Sequence, residues 1–276
     1  MSEGKAEYKA DIKKLLRKNK GQKPRVISLV NQKGGVGKTT STKNIGAGLT
    51  GLGYAVLLID LDPQASLTYS LGIQAHELSR TVYEVLKGDI KPEEIIIEKY
   101  GLHLIPSSLN LSGAEIELSG IAGRELLLKE ALENITKDYD YIFIDCPPSL
   151  NLLTLNALTV AEEVFVPLQT EFLAMQGLTK LIDTVNIVKK RFNKGLDITG
   201  IIGTRFDSRK NLNKEVIEKI KEYFKDKLFD TLIRDNIALA EAPGFGQDIF
   251  TYRKDSYGAE DYLALCREIV RKGDKK

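Results

Sequence analysis

A doubly wound α/β fold with a mostly parallel sheet is the architecture this sequence predicts, and three observations carry the prediction. From residue 26 onward, short β-branched runs alternate with longer stretches of helical period, the pattern of successive βαβ units. The runs VISLV, VLLID and YIFID are apolar throughout and do not alternate, as expected of strands covered on both faces. The 276 residues are 42% apolar and 28% charged, an ordinary globular composition with enough apolar surface to bury a sheet.

The elements follow in chain order. Residues 1–25 carry nine Lys or Arg against three Asp or Glu, with Tyr8, Ile12, Leu15 and Leu16 at helical spacing. This predicts a basic arm with a short amphipathic helix, then a linker over 19–24. Residues 26–276 read as a single domain. Strands are expected at 26–31, 55–60, 102–106, 141–145, 164–168, 198–204 and 227–232. Helices are expected at 38–52, 124–136, 150–161, 173–191 and 212–224. A last helix carries the apolar stripe Ala259, Tyr262, Leu263, Cys266, Ile269 and Val270. Internal repeats and low-complexity tracts are not evident.

Composition excludes several function classes. A net charge of +2 is too small to make the whole surface a polyanion trap, so any nucleic-acid site must be a local patch. Two cysteines, Cys146 and Cys266, exclude a disulfide framework and a four-cysteine metal site within one chain. No apolar run approaches the ~18 residues of a membrane span, and the polar start MSEGKAEYKADIKKLLRKNK has no signal-peptide core. A cytoplasmic protein is expected.

The strongest motif is VISLVNQKGGVGKTT at residues 26–40: a strand, a glycine-rich loop, then a helix. Gln32 stands where the G-x-x-x-x-G-K-[ST] pattern has its first glycine, and a second lysine, Lys33, precedes Lys38 by five residues. Gly34, Gly35 and Gly37, with Val36 between them, let backbone amides curl around phosphate oxygens. The helix starting near Lys38 aims its unpaired N–H groups at the same anion. Lys38 is placed to bridge β- and γ-phosphates, and Thr39, followed by Thr40, to hold Mg²⁺ through its hydroxyl.

Two strand ends supply carboxylates where doubly wound sheets bind ligands. VLLIDLDPQ ends its strand at Asp60, with Asp62 two residues on, and YIFIDCPPS ends at Asp145. With Thr39, Asp62 and Asp145 form the expected metal set, Asp145 acting through water. Asp62 is also expected to position an attacking water, and Asp60 to support the metal shell. An acidic residue at a strand end otherwise serves turns and caps.

Lys33 with GGVGKTT resembles the deviant Walker A of the ParA/MinD group. DLDPQAS with LGI, DCPPSLNLLTLNALTVAEEVFVPLQTEFLAMQGL, TRFDSRKNLNKEV and LIRDNIALAEAPGFGQDI resemble the ParA/Soj partitioning ATPases in particular, and the likeness runs from residue 26 to about 270. The resemblance implies a P-loop NTPase fold of the SIMIBI class, ATP and Mg²⁺ as cofactors, and slow hydrolysis. It implies a homodimer on ATP in which Lys33 reaches the partner's phosphates, so that Lys33, Lys38 and Asp62 are the catalytic set. It further implies non-specific binding to double-stranded DNA, a nucleoid-associated location, and a ParB-like partner that stimulates turnover. Residues 204–207 and 233–243, Pro243 included, resemble the segments that frame adenine. Arg209, Lys210, Arg253 and Lys254 take the place of the family's basic residues on the DNA backbone. No helix-turn-helix module is evident.

Weaker signals favour ordinary roles. Cys266 lies on an apolar stripe, so a core place is expected, and His76 and His103 are isolated. MinD-like relatives end in a basic amphipathic membrane anchor, but here the last helix has Glu260, Asp261 and Glu268 beside Arg267, and no membrane role is expected. The alternatives are a ParA-like positioner of non-DNA cargo and a MinD-like membrane-dependent regulator.

Overall fold

The computed structural model describes residues 23–171 and 176–273. The amphipathic helix expected within 1–22 and the first residues of the helix expected from 173 lie outside them. The sheet has seven strands in the order β3-β4-β2-β5-β1-β6-β7. They are β1 (Arg25–Leu29), β2 (Val56–Asp60), β3 (Ile97–Lys99), β4 (Leu102–Ile105), β5 (Tyr141–Asp145), β6 (Glu163–Gln169) and β7 (Asp197–Thr204). Every pairing is parallel except β3 with β4.

Successive residues of one strand feed opposite cores, as the pleat requires. Ile142 and Ile144 join a core that includes Leu128, Leu153 and Val185. Tyr141 and Phe143 join the other, with Ile45, Leu49, Tyr262 and Ile269. The helices are α1 (Lys38–Gly51), α2 (Ser66–Ser70), α3 (Val82–Lys87), α4 (Ala114–Glu117), α5 (Leu127–Leu132), α6 (Leu152–Val160), α7 (Gln176–Arg191), α8 (Asn211–Phe224), α9 (Ile237–Glu241), α10 (Ile249–Tyr252) and α11 (Tyr257–Gly273). The stripe of α11 is internal, with Ala259, Tyr262, Cys266 and Ile269 buried. Among the described residues no helix is long and apolar enough to cross a membrane.

Three expectations need correction. The segment 227–232 is not a strand: among the described residues its one ladder contact is the bridge Leu228 to Ile201. The amides of Asp230 and Thr231 instead donate to the Glu268 carboxylate at 2.9 and 3.0 Å, while Leu228 and Phe229 bury their side chains. The helix expected at 124–136 shrinks to Leu127–Leu132 with 3₁₀ turns at Arg124–Leu126 and Thr136–Asp138. Asn156 of α6 takes the Leu128 amide on Oδ1 and donates to the Arg124 carbonyl, which fixes the helix start by a tertiary contact. Strand β3, three residues long and only partly buried, was not expected at all.

Between Val164 and Phe165 the β6–β7 register slips by one residue. Thr199 is the extra residue on β7, and its hydroxyl donates to Glu163 at 2.7 Å. The slip places Gln169 opposite Thr204 at the C-terminal end of the pair.

Two segments that follow the sheet meet behind α1. The buried side chain of Lys43 donates to the carbonyls of Ser70 at 3.1 Å and Gln247 at 2.7 Å. The backbones of Gly72 and Gly246 also touch, both in left-handed conformation: a Cβ on Gly246 would stand 2.7 Å from the Gly72 Cα, so only glycine fits there.

Candidate nucleotide site

The chain leaves β1 toward β2 on one side and reaches β6 on the other, so a crevice opens beyond the C-terminal end of β1. The loop 30–37 lies there and runs into α1. Gly35 and Gly37 have φ of +73° and +92°, values that L side chains rarely adopt. Asn31 starts the turn: its Oδ1 accepts the Lys33 amide, and its Nδ2 donates to the Pro167 carbonyl. Lys38 folds back over the loop, Nζ to the Lys33 carbonyl at 3.4 Å. Burial lowers its pKa, against the pull of Asp145. Among the described residues none accepts a hydrogen bond from the amides of Gly35, Val36, Gly37 or Lys38, so these donors can take an anion.

Thr39 and Asp145 are in contact, hydroxyl to Oδ2 at 2.6 Å, and Thr42 reaches Oδ1 at 3.3 Å. Asp60 and Asp145 are register partners on β2 and β5. Burial pushes both carboxyls up; the Asp60 charge raises Asp145 further, and the Asp62 charge raises Asp60. A hydroxyl beside a buried carboxylate suits a hard cation that keeps its waters and takes phosphate oxygens. Among the described residues there is no cluster of three His, Cys, Asp or Glu side chains able to cage a metal without them.

Asp60 is tied to the segment that follows it. Its oxygens accept from the Thr68 amide at 2.8 Å, the Thr68 hydroxyl at 2.7 Å and the Asp62 amide at 3.2 Å. It therefore anchors α2 and the turn that carries Asp62. Asp62 is held by the Ser107 hydroxyl on its carbonyl and by the Gln64 amide on Oδ1.

Lys33 turns outward. Its ammonium, 46% exposed, pairs with Glu171, 56% exposed, at 2.7 Å. Thr40 lines a cavity of about 290 Å³ beside the loop, with Thr204, Ile233, Asn236, Leu239 and Tyr262. The two segments expected to frame a base thus meet the glycine loop here. Pro243 does not line the cavity; it sits in the turn Ala242–Phe245.

The four basic candidates are exposed. Arg209 is committed to a neighbour: its guanidinium forks onto Asp207 with two bonds of 2.9 Å and holds that carboxyl down at about 2. Lys210 precedes α8. Arg253, beside the Tyr252 ring, and Lys254 form the turn between α10 and α11. Sequence reasoning missed Thr42, Thr68, Gln169 and Glu171. Gln169 and Glu171 are polar residues at or just beyond the end of a core strand, which was the available signal, whereas Thr42 and Thr68 lie inside helices.

Comparison with known proteins agrees with this geometry. The AAA domain family model matches residues 24–198. The sporulation initiation inhibitor protein Soj of Bacillus subtilis is 46% identical over 251 residues, covering 90% of this chain and 99% of that protein. The chromosome partitioning protein ParA of Myxococcus xanthus is 43% identical over 254 residues, covering 91% and 90%. Among solved structures, the cobyrinic acid a,c-diamide synthase of Mycobacterium smegmatis, with bound ATP analogue and magnesium, matches with a TM-score of 0.81 and 38% identity over 91% of this chain and 96% of that one. A glycine loop with an outward lysine, strand-end carboxylates and these relatives together place the chain in the Soj/ParA family of chromosome-partitioning ATPases.

Proposed function

We propose that this protein is a DNA-partitioning switch that dimerises on ATP, binds double-stranded DNA without sequence preference, and releases it when a ParB-like partner stimulates slow hydrolysis. The observation that carries this reading is the division of labour between the two lysines. Lys38 lies over its own loop, whereas the Lys33 ammonium faces solvent with an exposed carboxylate as its partner. A cation so placed serves a phosphate that arrives from outside the protomer, on a second copy of the chain. There it stabilises charge on the transferring phosphoryl group.

In this reading the loop amides from Gly34 to Lys38 cradle ATP, with Thr40 beside the base cavity. Thr39, Asp145 and Asp62 would hold Mg²⁺. The metal supplies charge neutralisation on the β- and γ-phosphates. Asp62 orients the attacking water, and Asp60 fixes the turn that aims it. Lys210, Arg253 and Lys254 meet DNA phosphates directly, and Arg209 does so by exchanging Asp207 for a phosphate. Pairing two protomers doubles the number of such contacts, so loss of the dimer removes half of them and halves the salt slope of log affinity. The protein then works in the cytoplasm on the nucleoid.

A synthase reading follows from the Mycobacterium smegmatis neighbour. It fits less well: the relatives named for partitioning are 43–46% identical over about nine-tenths of the chain, and the synthase is 38% identical.

The test combines sizing and DNA binding. With a non-hydrolysable ATP analogue the wild type should be dimeric and bind random duplex DNA in a salt-sensitive way, and with ADP it should do neither. Lys33→Ala should still bind nucleotide as a monomer but lose dimer-dependent turnover. A wild-type protein that stays monomeric and indifferent to DNA with the analogue overturns the proposal.

A further inference from the structure

We propose that Gln169 and Thr204, the last residues of β6 and β7, are positioning residues for nucleotide binding. They hold two successive carbonyls of the glycine loop away from the phosphate site, so that the following amides face it before nucleotide arrives. The proposal rests on reading the loop as the phosphate cradle.

Gln169 Nε2 donates to the Gly35 carbonyl at 2.8 Å. The Thr204 hydroxyl donates to the Val36 carbonyl at 2.9 Å. Both side-chain donors sit on residues that are nearly fully buried, 6% and 3% exposed. In a trans peptide the C=O and the next N–H point in opposite directions. Fixing the Gly35 carbonyl therefore fixes the Val36 amide, and fixing the Val36 carbonyl fixes the Gly37 amide. These amides have no acceptor among the described residues. Two more loop carbonyls are occupied: Lys33 by Lys38 Nζ and Gly37 by the Ser41 amide.

The need for a clamp follows from the glycines. Each is freer in the unfolded chain, and in a loose loop, than any other residue, so ordering it costs more. A peptide between two glycines in left-handed conformation can also flip and present its carbonyl to the anion. Two buried donors on the rigid sheet prevent that flip and supply the order in advance, which is preorganisation in the ordinary sense. Thr204 adds a steric stop, its methyl 3.6 Å from where a Gly37 Cβ would be.

The placement depends on the β6–β7 slip. Gln169 and Thr204 are register partners only because Thr199 is extra. In an unbroken ladder Gln169 would face Gly203, which has no donor side chain, and Thr204 would move one residue along.

The experiment is equilibrium binding of a non-hydrolysable Mg-ATP analogue to four purified full-length proteins: wild type, Thr204→Val, Thr204→Ser and Gln169→Met. Amide hydrogen exchange of the loop is measured without nucleotide. Thr204→Val keeps the shape and loses the hydroxyl; its Kd should rise roughly tenfold, the size expected when a buried carbonyl loses its donor. Thr204→Ser restores the hydroxyl and should lie within about twofold of wild type, which a role in packing alone would not produce. Gln169→Met should weaken binding like Thr204→Val, and it keeps the test decisive if Thr204→Val does not fold. In both weakened variants the Val36 and Gly37 amides should exchange faster. Unchanged affinity and exchange in folded Thr204→Val and Gln169→Met would overturn the clamp alone. Failure of wild type to bind the analogue would overturn the phosphate-cradle reading, and the clamp with it.

Discussion

Replacing Lys43 by methionine should change how stability depends on pH, with a sign and size set by the fold. The Lys43 ammonium is buried in α1 against two backbone carbonyls, with Asp248 as the nearby charge. Burial lowers its pKa from 10.5 to about 8. The unfolded chain therefore binds this proton more tightly than the folded one, and stability rises with pH between those values. The group's penalty is present in full below about pH 8 and fades as pH approaches 10.5. At 1.36 kcal/mol per pKa unit, wild type should gain about 2.5 kcal/mol from this group between pH 7 and 10. The variant lacks that gain. Urea unfolding of both proteins across this range isolates the difference, because all other titrations are common to the two. Parallel curves, or a wild type that loses stability relative to the variant as pH rises, would refute the assignment of a desolvated ammonium.

Three further outcomes test the site and the core. Asp62→Ala should keep the ATP dimer and its DNA binding but abolish phosphate release; unchanged hydrolysis rejects the assigned role. Removing Arg253 and Lys254 together takes two contacts from each protomer of the dimer and should lower the slope of log affinity against log salt by about 3.6, from ~0.9 per phosphate contact, and weaken all duplex sequences alike. An unchanged slope moves the DNA surface elsewhere. Gly200→Ala places a Cβ 2.4 Å from the Phe229 ring and 2.8 Å from Phe165. Overpacking should cost about 1–3 kcal/mol, read as a lower urea midpoint at constant m-value; a wild-type midpoint would show that the rings give way.

The parts of the fold that sequence reading captured are those set by local rules. Strand 141–145 was placed to the residue because YIFID is apolar on both faces and ends at an acid. The start of α1 followed from the glycines before Lys38. The segment 227–232 has the composition of a strand, yet two of its amides go to Glu268, 38 and 37 residues away in the chain, a partner that local pattern does not reveal. Asn156 shortens the helix at 124–136 in the same non-local way. In the site, the glycine loop and the strand-end acids were legible from spacing. That Asp60 serves Thr68, that Arg209 is held by Asp207, and that Gln169 grips Gly35 depend on side-chain directions set only by the assembled sheet.

The meeting of Gly72 with Gly246 has a mechanical meaning. One lies two residues beyond α2, which Asp60 anchors through Thr68; the other lies just ahead of Asp248, whose carboxylate starts the helix leading to Arg253. Main chain abuts main chain here, with no rotamer between them to absorb displacement. The turn that Asp60 anchors and the turn that Asp248 starts therefore bear on each other through bare backbone, like two stones set without mortar.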